Sequence, residues 1–229
     1  MFFNYALTIL AAGGLTLVLA VGALVLASIM GLALAFAKLS RRPWLRRLAQ
    51  AYTFIIRGIP DLVLILLAFY SLPALLNQLI AAVGINGRVE FPPFGAGMVT
   101  LGVIFSAYMT ETFKSGLMNI PRGQLEAAHA FGIHPVRIFW RITLPQLAQL
   151  ALPGFTNNWL VLVKATALVS LIGLQDVMFR AKGAAEATGQ PFTYYLLAGG
   201  FYLAVTLVST GGLMVLARRL EKTIHAGRT

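Results

Sequence analysis

The chain has 229 residues, 59% of them apolar and 11% charged, with a mean hydropathy of +0.81. A typical soluble domain is about a quarter charged, and no water-soluble fold of this size can hide so much apolar surface, so the bilayer is the natural solvent. The formal net charge is +11 and cysteine is absent, which excludes disulfides, thiolate metal sites and cysteine nucleophiles.

A membrane helix needs about 20 apolar residues. No charged residue precedes Lys38. This opening stretch lacks the basic start and short core of a secretory signal, so it predicts a retained first span within 5–37. At ~1.5 Å per residue that stretch is longer than the hydrocarbon core requires, which leaves room for tilt or for first turns in the interface. The connection from Lys38 to Arg57 carries six basic residues and no acid. A second span is expected over 62–83. At its mouth Arg57 and Asp61 stand four residues apart and could pair, either to stabilise a helix end or as part of a gate. The outer loop that begins at Asn86 is turn-rich, with Pro92 and Pro93.

The third span is expected over 94–117. Glu111 lies towards its cytoplasmic end, on one helical face with Tyr108 and Lys114, each three positions away. A local Glu111–Lys114 pair is one reading. Contact with a cationic substrate, or a part in a gate, is the other.

The longest inner connection, 119–146, reads as two short helices joined by a sharp corner. Pro121 suits a first helical turn, and Glu126, Ala127 and Ala128 favour helix. Gly132 can take the left-handed conformation that ends a helix, and Pro135 suits the start of the next. Phe139 and Trp140 add apolar surface beyond what a simple reversal needs. Such a helix pair fits a groove on a cytoplasmic partner, although a plain connection of two spans would use the same turn chemistry.

The fourth span is expected over 147–174. Asn157 and Asn158 are early in it, suited to bonds between helices or to a polar pathway. Lys164 sits roughly 12 Å from the outer end. An ionisable residue inside a span is costly and is a functional candidate by default, as a cavity lining or as the partner of an acid. An ion pair or carbonyl bond of purely structural use is the alternative. A Glu111–Lys164 pair is disfavoured, because counting separates their depths by about 10 Å. The fifth span is expected over 192–217, ahead of a basic tail that includes Lys222 and Arg228. Thirteen basic residues then fall in the connections on one side and three on the other. The positive-inside rule places the amino terminus outside and the carboxyl terminus in the cytoplasm, and the alternation requires an odd number of spans. The whole is an all-α integral membrane protein with five transmembrane helices, a single domain over 1–229. Nucleic-acid binding is not expected, because the basic residues follow the membrane pattern.

The order Glu126-Ala127-Ala128, three residues, Gly132, nine residues, Ile142, one residue, Leu144-Pro145 resembles the EAA loop of binding-protein-dependent ABC importers. Other segments resemble the polar amino-acid permeases of that class: Arg57-Gly58-Ile59-Pro60 entering the second span, Tyr108 to Gly116 in the third, and Leu162 to Ser170 in the fourth. Ala165 and Ala167 stand where an Asp and a Ser are common, and Asp61 stands where many relatives carry an apolar residue. Both departures resemble the subgroup that imports histidine, lysine, arginine, ornithine or opines, and within it the first of two paired permeases.

The resemblance implies that the loop at 119–146 is a coupling helix seated on an ATPase. It implies two separate ATPase subunits that bind ATP and Mg, a periplasmic binding protein, and a second permease subunit, a heterodimer being favoured over a homodimer. It further implies alternating access in a bacterial inner membrane. No Walker-type phosphate loop and no Ser-His-Asp set is present, so neither enzyme activity nor a cofactor is expected in this chain. His129, His134 and His225 show no metal-ligand clustering. The rival reading, an ion-driven secondary transporter, predicts inverted repeats and broken helices at matching places; neither is apparent in the sequence.

Overall fold

A computed structural model describes residues 2–83 and 87–225, with side chains through 219; Asn86 and Arg228 lie outside the described residues. Five helical stretches are long and apolar enough to cross a membrane: Phe2–Leu39, Asp61–Ala82, Pro93–Met118, Pro135–Ile172 and Pro191–Arg219. Each contains most of one span expected from hydropathy.

Helices α1 (Phe2–Ala11) and α2 (Gly13–Leu39) follow one another almost without a break. Bonds from Ala12 N to Thr8 O and from Thr16 N to Ala12 O carry the ladder across the joint. The extra length is used at the amino-terminal end, where Ile9 packs with Val177, Ala181 and Tyr194.

The basic connection is itself helical, a correction to its reading as a loop. Helix α3 (Pro43–Gly58) begins on Pro43, whose missing N–H costs nothing in a first turn. It buries Ala49 and Thr53. The Tyr52 hydroxyl donates to Val103 O at 2.8 Å and lies 2.7 Å from Ser106 Oγ. Both partners stand near the midpoint of the third span, so α3 climbs beside that span and does not lie flat across its end. Pro60 disfavours helical geometry in the residue before it. Ile59 is accordingly extended, with φ −106° and ψ 135°.

Helix α4 (Asp61–Leu66) then passes through a π-turn (Leu67–Ser71) into α5 (Leu72–Ala82). The π-turn ends two residues before Pro73. A second π-turn, Phe139–Thr143, ends two residues before Pro145. Proline cannot donate to the carbonyl four residues back, and its ring crowds that carbonyl; a widened turn accommodates both problems. Sequence periodicity gave no sign of either interruption.

Helix α6 (Pro93–Met118) is the centre of the molecule. Helices α2 and α9 (Leu144–Ala165) pack on it, through Leu19, Ala23, Ala27, Leu101, Ile104, Phe105, Met109, Leu162 and Val163. Small residues permit the approach, as membrane packing favours. A Cβ on Gly31 would stand 2.6 Å from Met109 Cβ, and one on Gly102 would stand 2.5 Å from Leu26 Cδ2.

Between the third and fourth spans, α7 (Arg122–Ala130) is a separate short helix, but α8 (Pro135–Ile138) is not. It runs through the π-turn into α9 and a 3₁₀ segment, Thr166–Ile172, as one 38-residue stretch. The second half of the expected helix pair is therefore the inner end of span four. Between the fourth and fifth spans α10 (Val177–Thr188) occupies what the sequence reading left as a plain connection, and α11 (Pro191–His225) completes the fold.

Candidate functional site

Four polar side chains converge where α2, α3 and α6 meet. Lys38 is in the last turn of α2 and Glu111 is on α6, and the two form an ion pair. The Lys38 side chain is 7% exposed and that of Glu111 35%. Glu111 thus pairs across 73 residues of chain and not with its neighbour Lys114, because a lysine at the end of an adjacent helix reaches back along its own axis to the acid. Arg57, in the last turn of α3, places its guanidinium 5.3 Å from the centroid of the Tyr108 ring, within cation–π range. The expected Arg57–Asp61 pair is absent among the described residues. The extended Ile59 and Pro60 separate the two helices, so a spacing of four no longer puts the side chains on one face. Asp61 is instead half-buried at the start of α4.

These groups line an open cavity of about 700 Å³ together with Gln50, Thr53 and Phe54. Its fixed charges are two cations and one acid, and the acid is already engaged. The cavity therefore presents a net positive, donor-rich wall with an aromatic face, a setting for a carboxylate.

On α9 the two asparagines part company. Asn158 is buried and donates through Nδ2 to Thr112 Oγ1 at 3.0 Å. It ties α9 to α6. Asn157 faces outward, and so do Val161 and Lys164. Asn157 and Lys164 are seven residues apart, which is two helical turns on one face. Lys164 has no ion-pair partner among the described residues, and Glu111 lies elsewhere with Lys38. A polar outward face on a membrane helix needs a cover of protein or water, because lysine in hydrocarbon is expensive.

The loop between the third and fourth spans shows the helix stop expected at Gly132, whose φ is +70°. The Ile133 N–H donates to Ala128 O at 3.1 Å and the Gly132 N–H to His129 O at 2.9 Å. That pair of bonds is a Schellman motif, in which the left-handed residue costs least as glycine. Ala128 packs inward, whereas Glu126 and Ala127 are exposed. Ile142 and Leu144 are half-buried around the π-turn and Pro145 is exposed. Phe131 (85%), Val136 (58%) and Trp140 (62%) stand out uncovered. Gln146 Nε2 donates to Gln124 Oε1 at 2.7 Å and fixes α7 against the base of span four. Sequence reasoning missed that bond, since neither amide is unusual in an inner loop.

It also missed Lys38, counted as a loop charge, and Asp176. Asp176 is fully buried at the amino-terminal cap of α10, where Oδ1 accepts from Phe179 N at 2.8 Å. Its Oδ2 and the Tyr202 hydroxyl are buried without hydrogen-bond partners. Burial pushes the Asp176 carboxyl up to about 6, against the opposing effect of backbone N–H donors.

Comparison with known proteins shows the family. The chain is 44% identical over 219 residues to the histidine/lysine/arginine/ornithine transport system permease protein HisQ of Escherichia coli (strain K12), covering 96% of each chain. It is 36% identical over 222 residues to the arginine ABC transporter permease protein ArtQ of Haemophilus influenzae, covering 97% of each. Among solved structures it resembles a crystal structure of an amino acid ABC transporter with histidines, with a TM-score of 0.78 and 28% identity, over 95% of this chain and 96% of that one. Residues 23–222 match the family profile described as the binding-protein-dependent transport system inner membrane component. By that match and by its identity to full-length permeases, the chain belongs to the family of binding-protein-dependent transport system inner membrane components.

Proposed function

We propose that this chain is the permease subunit of a binding-protein-dependent ABC importer that carries a basic amino acid, such as histidine, arginine, lysine, ornithine or an opine, into a bacterial cytoplasm. The loop between spans three and four carries the proposal furthest. A short helix closed by a left-handed glycine, with three large apolar side chains left uncovered, is a shape made for a partner protein.

In this reading residues 1–229 form one permease domain and 119–146 its coupling loop. Glu126, Ala127, Ala128, Gly132, Ile142, Leu144 and Pro145 shape that loop for the ATPase. Glu126 and Phe131 meet the partner directly, while Ile142, Leu144 and Pro145 set the π-turn that joins the loop to span four. ATP and Mg belong to two ATPase subunits and hydrolysis occurs there. The outward face of Asn157 and Lys164 meets a second permease subunit, a heterodimeric partner by preference, and lines the path between the two. A periplasmic binding protein delivers substrate at the end that carries α10. The amino terminus is outside and the carboxyl terminus cytoplasmic.

The cavity supplies the chemistry. Arg57, beside the Tyr108 ring, takes the substrate carboxylate. Glu111 exchanges the Lys38 ammonium for the cationic end of the substrate as the pathway switches. Asp61, at the break after Pro60, adds negative charge to the same route. Such exchange lets substrate bind one state better than the other, which is the condition for a ligand to drive a switch.

The test is reconstitution of the chain in vesicles with its second permease, the ATPase and the binding protein. Uptake of a basic amino acid that requires ATP and ceases without the ATPase supports the proposal. Uptake driven by an ion gradient alone overturns it, and uptake of glutamine or glutamate instead overturns the substrate assignment. A reporter fused after Arg88 reads outside and one fused after Arg122 reads inside if the orientation is right.

A further inference from the structure

Helix α3 has an exposed face outside the cavity lining. Ala49 and Thr53 are turned into the molecule. On the opposite side Trp44 (56% exposed), Leu48 (62%), Ala51 and Ile55 (54%) recur at intervals of four, three and four residues. That spacing makes one continuous apolar stripe. It runs over twelve residues, a rise of about 16 Å, which is about half the ~30 Å hydrocarbon core and so one leaflet deep. Its far end approaches the level at which Tyr52 is bonded to Val103, near the middle of α6.

The near end is strongly basic. Arg41, Arg42, Arg46 and Arg47 are all exposed. Among the described residues none of the four has an ion-pair partner. Arg47 borders the stripe, three residues after Trp44 and four before Ala51, whereas Arg46 shares the cavity face with Gln50, Thr53 and Arg57. No acid occurs between Lys38 and Arg57.

We infer that this face of α3 is a binding site for an anionic phospholipid of the inner leaflet. The phosphate sits at the basic near end among Arg41, Arg42 and Arg47, and an acyl chain lies along Trp44, Leu48, Ala51 and Ile55. The occupant must be anionic at one end and apolar for one leaflet's depth at the other, and a phospholipid has that form. Guanidinium groups bind phosphate through parallel N–H donors, and juxtamembrane basic clusters draw anionic lipid. An acidic soluble partner would satisfy the arginines but leave the stripe, which climbs away from them beside α6, uncovered. A second copy of this chain, with a net charge of +11, would bring like charge to the arginines.

The experiment uses the assembled transporter in phosphatidylcholine nanodiscs, titrated with phosphatidylglycerol brominated on its acyl chains. Tryptophan fluorescence reports the contact, and the Trp44→Phe complex isolates the Trp44 contribution. The expected result is quenching of Trp44 that saturates at a low mole fraction of brominated phosphatidylglycerol and is weak with brominated phosphatidylcholine. Arg41→Gln, Arg42→Gln and Arg47→Gln combined should lower the apparent phosphatidylglycerol affinity on the order of 100-fold. Equal quenching by both lipids, or an unchanged preference in the triple variant, overturns the site. Absence of quenching by either lipid shows a protein covering the stripe and overturns it too. Loss of ATPase from the triple variant with lipid preference intact assigns the arginines to the ATPase and overturns the lipid.

Discussion

Lys38 and Glu111 form an ion pair between the carboxyl-terminal parts of α2 and α6, and the lysine is almost fully enclosed while the acid opens on the cavity. Removing one partner of such a pair costs more than removing both, because the survivor stays desolvated. Lys38→Met is expected to lower stability by about 1–3 kcal/mol, less than for a fully buried pair because Glu111 is partly solvated. Lys38→Met with Glu111→Leu should recover part of that loss. Thermal unfolding of the purified complex checks this, and strictly additive single and double variants would show that the two charges are not coupled.

Lys164 gives a functional prediction. Its side chain faces outward from α9 on the face of Asn157, with no ion-pair partner among the described residues. Lys164→Met keeps the length and removes the charge. Uptake should fall at least tenfold while the complex still assembles, because the exposed side chain lies on the proposed pathway face and outside the core. Normal uptake by Lys164→Met would remove the residue from the pathway.

Gly132 tests the coupling loop. Its φ of +70° penalises any side chain, although a Cβ there meets no atom of this chain within 4 Å. Gly132→Val therefore costs ~1 kcal/mol or more of local strain and leaves the spans intact. Association with the ATPase should weaken, or hydrolysis should uncouple from uptake. Co-purification and substrate-stimulated ATPase activity are the measurements. Normal values in both would separate this loop from coupling.

The tight α2–α6 contact predicts a contrast between two glycines. Gly102→Val forces a side chain into Leu26 and should cost about 1–3 kcal/mol. Gly14→Ala meets nothing within 4 Å and should be neutral or gain up to about 1 kcal/mol of helix propensity. Melting temperatures of the two variants decide it.

Asp176 makes stability depend on pH. Its carboxyl titrates near 6 in the fold, above the ordinary 3.8. Between those values the folded state binds the proton and the unfolded state has lost it. This contribution is thus fully present below about pH 4 and is lost as pH rises through 6. Asp176→Asn keeps an N-cap acceptor and removes the titration. The stability difference between wild type and Asp176→Asn should change by up to about 3 kcal/mol across that window. A pH-independent difference would contradict it.

Hydropathy alone determined the five spans, since burying about 20 apolar residues in hydrocarbon is a local property of the chain. The stop at Gly132 was local too: the glycine ends its own helix by bonds three and five residues back. The partner of Glu111 was decided elsewhere. Helical spacing offered Lys114, and only the packing of α2 on α6 brought Lys38 to the acid. The same holds for Arg57, whose spacing to Asp61 has meaning on a continuous helix and none across the extended Ile59. It holds again for Asn157 and Asn158, neighbours in sequence whose opposite fates follow from the face α9 turns to α6. Periodicity records which residues share a face. Which face meets which helix depends on contacts across the whole chain, and those belong to the tertiary structure.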